Sequence, residues 1–249
     1  MNLEKPFFQN LPPGLLIGKD AAQQRLFREY GAVFVARGGV TPPTRIVYAD
    51  EADVRRFQDR LDIKSAKIGD FELELQATAM DALLAAIDEA NRANLSITPR
   101  GADSARRNYD DTVELWRSRV EPALVHWCAE GRITGEAADS IRRLSPFEQV
   151  AKVFELEEKG IFFAKDLSKS IIYSVAPPGS SQHLSLLAFD VAEFETSAVR
   201  QILARHYWYQ TVVSDLPHFT FLGCGTGRLR ELGLKRLESS GREFWIPDL

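Results

Sequence analysis

The sequence predicts an α+β fold, with a small, mainly antiparallel sheet and flanking helices. Two observations carry this. Helical periodicity dominates up to about residue 159, and short strand-like runs between turn residues follow it. The regular strand–helix alternation that a parallel sheet needs is absent. With 249 residues, 45% of them apolar, the chain can bury a full core without disulfides.

Residues 1–19, with Pro6, Pro12 and Pro13, read as irregular. Ala21 to Tyr30 reads as a short helix. Ala32 to Ala36 and Arg45 to Tyr48 read as strands, parted by the turn-rich run from Gly38 to Pro43. Glu51 to Leu61 suits a helix. Between Thr78 and Asn94, Met80, Leu83, Leu84 and Ile87 fall on one stripe of an amphipathic helix. Leu95-Ser96-Ile97 reads as a short strand, and Tyr109 to Cys128 as a helix that Pro122 should break or kink. Ser145-Pro146-Phe147-Glu148 is a helix start with an N-cap, a first-turn proline and a capping-box glutamate, and this helix should run to about Lys159. Ser170 to Val175 and Leu186 to Val191 read as strands joined through Pro177 to Ser181. Ser197 to His206 reads as a helix and Phe219 to Phe221 as a strand. We expect residues 1–70 to form an N-terminal extension and residues 71–249 the functional domain.

The net charge is −4 and the pI about 5.7, which gives no electrostatic case for nucleic-acid binding. Cys128 and Cys224 form no CxxC pair and cannot build a zinc knuckle; free thiols and a bridge between them both stay open. No run reaches the ~18 apolar residues of a membrane span. Met1 to Gly18 lacks the apolar stretch of a signal peptide, so either the protein stays inside the cell or the chain is a processed form.

Four histidines are present. His126, between Val125 and Trp127, and His206, before Tyr207-Trp208-Tyr209, suit ordinary structural roles. His183 and His218 differ, because each sits in a short polar cluster beside an apolar run, with Asp190 and Asp215 close in sequence. Two histidines and a carboxylate are the usual ligands of a catalytic zinc site, and a second carboxylate can act as general base. Spacing alone leaves a metal site and ordinary loop histidines both open.

Ser181-x-His183-x-x-x-x-Ala188-x-Asp190 resembles the S-x-H-x-x-G-x-A-x-D signature of the LAS-type zinc peptidases. That family includes D-alanyl-D-alanine carboxypeptidases of the vancomycin-resistance type and L-alanyl-D-glutamate endopeptidases. Asp215-Leu216-Pro217-His218-Phe219 is similar to their second motif, in the Asp-x-Pro-His-Phe form of the endopeptidase branch. Ala105 to Thr112 resembles, more weakly, the upstream G-Y-R-S-x-x-x-Q motif. The resemblance covers roughly residues 75–249. It implies Zn²⁺ held by His183, Asp190 and His218, Asp215 as general base, and Arg107 and Ser181 as substrate-binding residues. Arg107 would clamp a substrate carboxylate, with Arg100 as its rival. The implied substrate is a peptidoglycan stem peptide, cut by D,D-carboxypeptidase or L-Ala-D-Glu endopeptidase action, and the implied location is the cell envelope or periplasm.

The chain departs from the pattern at three positions. Leu186 replaces the signature glycine, where a positive φ would strain a leucine. Thr112 replaces the usual Gln, and Arg106 the usual Tyr. These bear on the pocket more than on the metal, so a zinc- or cell-wall-binding relative without turnover is an alternative. A second alternative comes from Gly223-Cys224-Gly225-Thr226-Gly227, which resembles the first loop of S-adenosylmethionine-dependent methyltransferases. Such a loop must be followed by several βα units, and only Arg228 to Leu249 remain.

Overall fold

A computed structural model describes residues 4–15, 17–18 and 20–249. Its sheets are small and antiparallel, and helices surround them, so the fold is α+β. Helix α1 (Pro6–Gln9) is a single turn. Helix α2 (Ala21–Tyr30) starts at Asp20, whose carboxylate accepts from the Gln23 N–H at 2.9 Å, and buries Leu26, Phe27 and Tyr30. The strand expected at 32–36 is instead a 3₁₀ turn, Gly31–Val35, buried at every position. A short continuous apolar run fits a buried strand and a buried helical turn equally, and tertiary packing decides. The strand expected at 45–48 is irregular. Ile46 and Tyr48 are buried as a strand face would be, but only Tyr48 finds backbone pairing, donating to Gly179 O at 2.9 Å.

Helix α3 (Glu51–Gln58) leads into a hairpin that has no counterpart in the sequence expectations, β1 (Ile63–Ile68) and β2 (Phe71–Gln76). Its two-residue turn places Gly69 at φ 60°. The division expected at residue 70 falls inside this turn. Helix α4 (Ala77–Arg92) follows at once and buries Met80 and Leu83, as its stripe requires. Residues 95–97 form no strand; a single bridge joins Pro99 to Val191 instead. Helix α5 (Tyr109–Ala129) opens with a capping box between Asn108 and Asp111, and Pro122 does not break it. Helix α6 (Gly135–Arg142) comes next. Helix α7 (Pro146–Glu157) starts on the expected Ser145–Glu148 capping box. Residues 170–175 hold a 3₁₀ turn, Ile171–Tyr173, where a strand was expected.

Strand β3 (Ala188–Asp190), helix α8 (Ser197–Arg205), strand β4 (Trp208–Tyr209) and strand β5 (His218–Phe221) follow, and the strands form one sheet in the order β3-β5-β4. Helix α9 (Thr226–Glu231) and the hairpin β6 (Leu234–Ser239) and β7 (Arg242–Pro247) close the chain. One apolar core holds Phe7, Leu26 and Phe27 together with Trp116, Phe189, Phe219 and Trp245, so early and late residues share it.

The glycine-rich loop after β5 serves packing. Gly223 has φ 68°, and a Cβ there would fall 1.9 Å from the Arg37 carbonyl, beside the bond from Arg37 N–H to Leu222 O. Strand β5 pairs antiparallel on both sides and β6–β7 form a separate antiparallel hairpin, so the parallel doubly wound sheet that the methyltransferase alternative needs is incompatible with this fold. Cys128 and Cys224 are both free thiols.

Candidate metal centre

The β3–β5 register sets Asp190 directly across from His218. A 3₁₀ turn, Gln182–Ser185, brings in His183, and Leu186 ends that turn at φ 58° and ψ 29°. This is the left-handed conformation that the signature glycine would supply. Leucine holds it with its side chain fully buried, its N–H on His183 O and its carbonyl on Gln76 N–H. The strain, on the order of 1–2 kcal/mol, is offset by that burial.

His183, Asp190 and His218 are buried, and one ligand atom from each lies within 4.8 Å of the others. Hydrogen bonds fix which ring atoms face the centre. His183 Nδ1 lies 2.6 Å from the Ala105 carbonyl, which can only accept, so Nδ1 carries the proton and Nε2 a lone pair. Gln182 donates its Nε2 to Tyr30 O at 2.9 Å, which turns its Oε1 toward His218 Nε2, also at 2.9 Å. His218 therefore donates from Nε2 and faces Asp190 with Nδ1, 3.2 Å from Oδ1. His183 Nε2 lies 3.2 Å from the same oxygen, but its angle makes no hydrogen bond, and it is a buried atom without a partner.

Two imidazole lone pairs and a carboxylate oxygen thus converge with no donor between them. Such a set calls for a cation, supplied by a metal ion or, in competition, by a proton. The residues fit a three-ligand zinc site with an open fourth position. Charge states agree. Burial, then the Arg107 cation, depress the His183 pKa and favour neutral imidazole. Burial alone would raise the Asp190 pKa, but His183 and His218 outweigh it and hold the carboxyl well below its usual range.

Around the centre lies a pocket of about 190 Å³, and Ser181, Asp215, Arg100 and Arg107 all line it. Asp215 is exposed on the pocket wall, yet the walls desolvate it enough to raise its pKa; the Asp190 charge adds to this, and His218 opposes it. Its carboxylate makes no hydrogen bond among the described residues. Arg107 donates from Nη2 to Asp190 Oδ2 at 2.8 Å and from Nε to the Asp103 carbonyl at 3.0 Å. Arg100 donates its backbone N–H to Asp190 O at 3.2 Å, while its guanidinium has no partner among the described residues. Ser181 caps the 3₁₀ turn, its hydroxyl accepting from His183 N–H at 3.4 Å.

Two of the three departures from the family pattern have structural roles. Arg106 does not line this pocket; it bonds Gln58 Oε1 at 3.1 Å and Glu74 Oε2 at 2.6 Å. Thr112 is buried, and its hydroxyl accepts from Gly179 N–H at 3.2 Å, holding the loop that leads to Ser181. His126 stacks edge-on against Trp127, and His206 pairs with Glu89 at 2.8 Å, so neither belongs to the site. Sequence reasoning missed Gln182 and Tyr30. Gln182 sits inside the signature, where any residue is allowed, and Tyr30 lies in a segment without a motif.

No family model and no curated protein matches the chain. Among solved structures it is similar to a variant of the vancomycin-resistance D,D-pentapeptidase VanY in complex with Zn(II). Identity is 14% and the TM-score 0.37, over 66% of this chain and 82% of that one. This likeness is too distant to define the fold or activity of the present chain.

Proposed function

We propose that this protein is a zinc-dependent peptidase of peptidoglycan stem peptides, acting as a D,D-carboxypeptidase or an L-Ala-D-Glu endopeptidase. One observation carries the reading: the lone pairs of His183 and His218 and the Asp190 carboxylate converge in one pocket beside the Asp215 carboxylate, which has no partner among the described residues. The resemblance of the two His/Asp motifs to the LAS-type signature supports the substrate class.

Zinc held by His183, Asp190 and His218 would polarise the scissile carbonyl and acidify a water molecule. Asp215 takes a proton from that water as its oxygen bonds to the carbonyl carbon. The C–N bond then breaks, and Asp215 returns the proton to the leaving nitrogen. A substrate carboxylate falls to the guanidinium pair, Arg100 with its whole fork and Arg107 through its remaining nitrogen. Ser181 borders the same groove. The substrate would place the protein at the cell envelope. No helix among the described residues is long and apolar enough to cross a membrane.

The commitment of Arg107 to Asp190 and Asp103 favours a second reading, a metal-holding relative without turnover. Mass spectrometry of muropeptides incubated with zinc-replete protein separates the two. Loss of a terminal D-Ala, or cleavage between L-Ala and D-Glu, supports the enzyme. Retained zinc with unchanged muropeptides supports the second reading, and a protein that holds no zinc contradicts both.

A further inference from the structure

We propose that Tyr30 donates a hydrogen bond to the reacting carbonyl oxygen of the substrate, so that the segment before residue 70 completes the active site. The inference rests on the peptidase reading above. Three features of the structure lead to it.

The first is placement. Tyr30 ends helix α2, and its backbone carbonyl accepts from Gln182, the same amide that holds His218. One side chain therefore separates Tyr30 from a metal ligand. The second is access. Tyr30 is buried, with 7% of the residue exposed, and it lines the pocket shared by His183, Asp190, His218 and Asp215. The third is an unused donor. No group among the described residues accepts from the Tyr30 hydroxyl, and that oxygen is not among the fully enclosed orphan atoms, so it keeps contact with open space. Burial, with the Glu29 and Asp215 charges, raises its pKa and keeps the phenol protonated.

Tyr30 lines this pocket of about 190 Å³, and its phenol lies close enough to Asp215 for that charge to act on it. As the water oxygen bonds to the carbonyl carbon, negative charge gathers on the carbonyl oxygen. A fixed donor aimed there binds the tetrahedral stage more tightly than the planar substrate, and when the C–N bond breaks the charge returns to the carbonyl. Tyr30 gains and loses no proton in this cycle. The resemblance to known peptidases begins near residue 75, so nothing in it assigns this role.

Tyr30→Phe removes only the hydroxyl, which has no partner among the described residues, so melting temperature and zinc stoichiometry should match wild type. Turnover should fall roughly 10- to 100-fold with KM nearly unchanged. Affinity for a phosphinate dipeptide, whose tetrahedral oxygens mimic the charged stage, should fall by a similar factor, while affinity for the carboxylate product stays level. Wild-type turnover and phosphinate affinity in the variant overturn the proposal and leave the peptidase reading intact. A wild-type protein that binds neither zinc nor phosphinate overturns the peptidase reading, and this inference with it.

Discussion

The two walls of the pocket are built in opposite ways. On the metal side, His183 is held by Ala105 O, His218 by Gln182 Oε1, and Asp190 by Arg107, and Gln182 is itself held by Tyr30 O and Thr220 Oγ1. Every outward polar atom has a partner, and only the atoms facing the centre lack a donor. On the other side, the Arg100 guanidinium, the Asp215 carboxylate and the Tyr30 hydroxyl have no partner among the described residues. A satisfied network fixes geometry. Free polar groups on an accessible wall serve a ligand that comes and goes. The contrast separates residues that should govern metal affinity from residues that should govern turnover.

The largest effect that tests this division falls on Asp215. Asp215→Asn should retain zinc and lose turnover by about 10²–10⁴-fold, since general-base catalysis has that worth. Metal content measured beside kcat would place Asp215 among the ligands instead if both are lost. In the metal-free protein the Asp215 carboxyl should titrate above the ordinary aspartate value of 3.8, because burial raises its pKa. An NMR titration of the apo protein that places it at or below 3.8 would contradict this.

Gln182→Met sharpens the metal side. It removes the acceptor that orients His218, and a partner of this kind is worth roughly 10- to 100-fold in metal affinity. Zinc titration against a chelating dye would read it. Unchanged affinity would mean that the Tyr30–Gln182–His218 chain does not position the ligand.

The two arginines fall on the boundary between the walls. Arg100→Lys loses the planar fork and should raise KM on peptides with a free carboxylate near the scissile bond, by about tenfold, with normal zinc content. Amidating that carboxylate should weaken wild type and barely change the variant. Arg107→Lys decides its own role in the same assay. A clamp raises KM at normal zinc content, and an Asp190-orienting residue weakens zinc binding instead.

The smallest effect concerns Leu186. Leu186→Gly relieves left-handed strain of about 1–2 kcal/mol but deletes a fully buried side chain worth about 2–5 kcal/mol. Denaturant unfolding should show a net loss of about 0–4 kcal/mol with little change in metal affinity. A net gain would show that the leucine packs poorly.

Local signals in the sequence carried the helices α2, α4 and α7, because caps and apolar stripes act within a few residues. They also carried the two strands beside His183 and His218, which bring together the cluster of His183, Asp190 and His218 that could hold a metal ion. Segments 32–36, 45–48 and 170–175 went wrong because their apolar runs are stabilised by distant contacts, such as Tyr48 with Gly179, and not by a neighbouring strand. The β1–β2 hairpin escaped notice because its exposed charges mask the alternation at Leu73 and Leu75. Gln182 and Tyr30 could not be read at all, since they are 152 residues apart and meet only in the folded chain.

Metal content of the purified protein tests the central claim most directly. Protein prepared without chelator should carry about one zinc per chain, as a three-ligand site requires. His183→Ala combined with His218→Ala should abolish it while the chain stays folded. Stoichiometric zinc retained in that double variant would contradict the assignment of this centre.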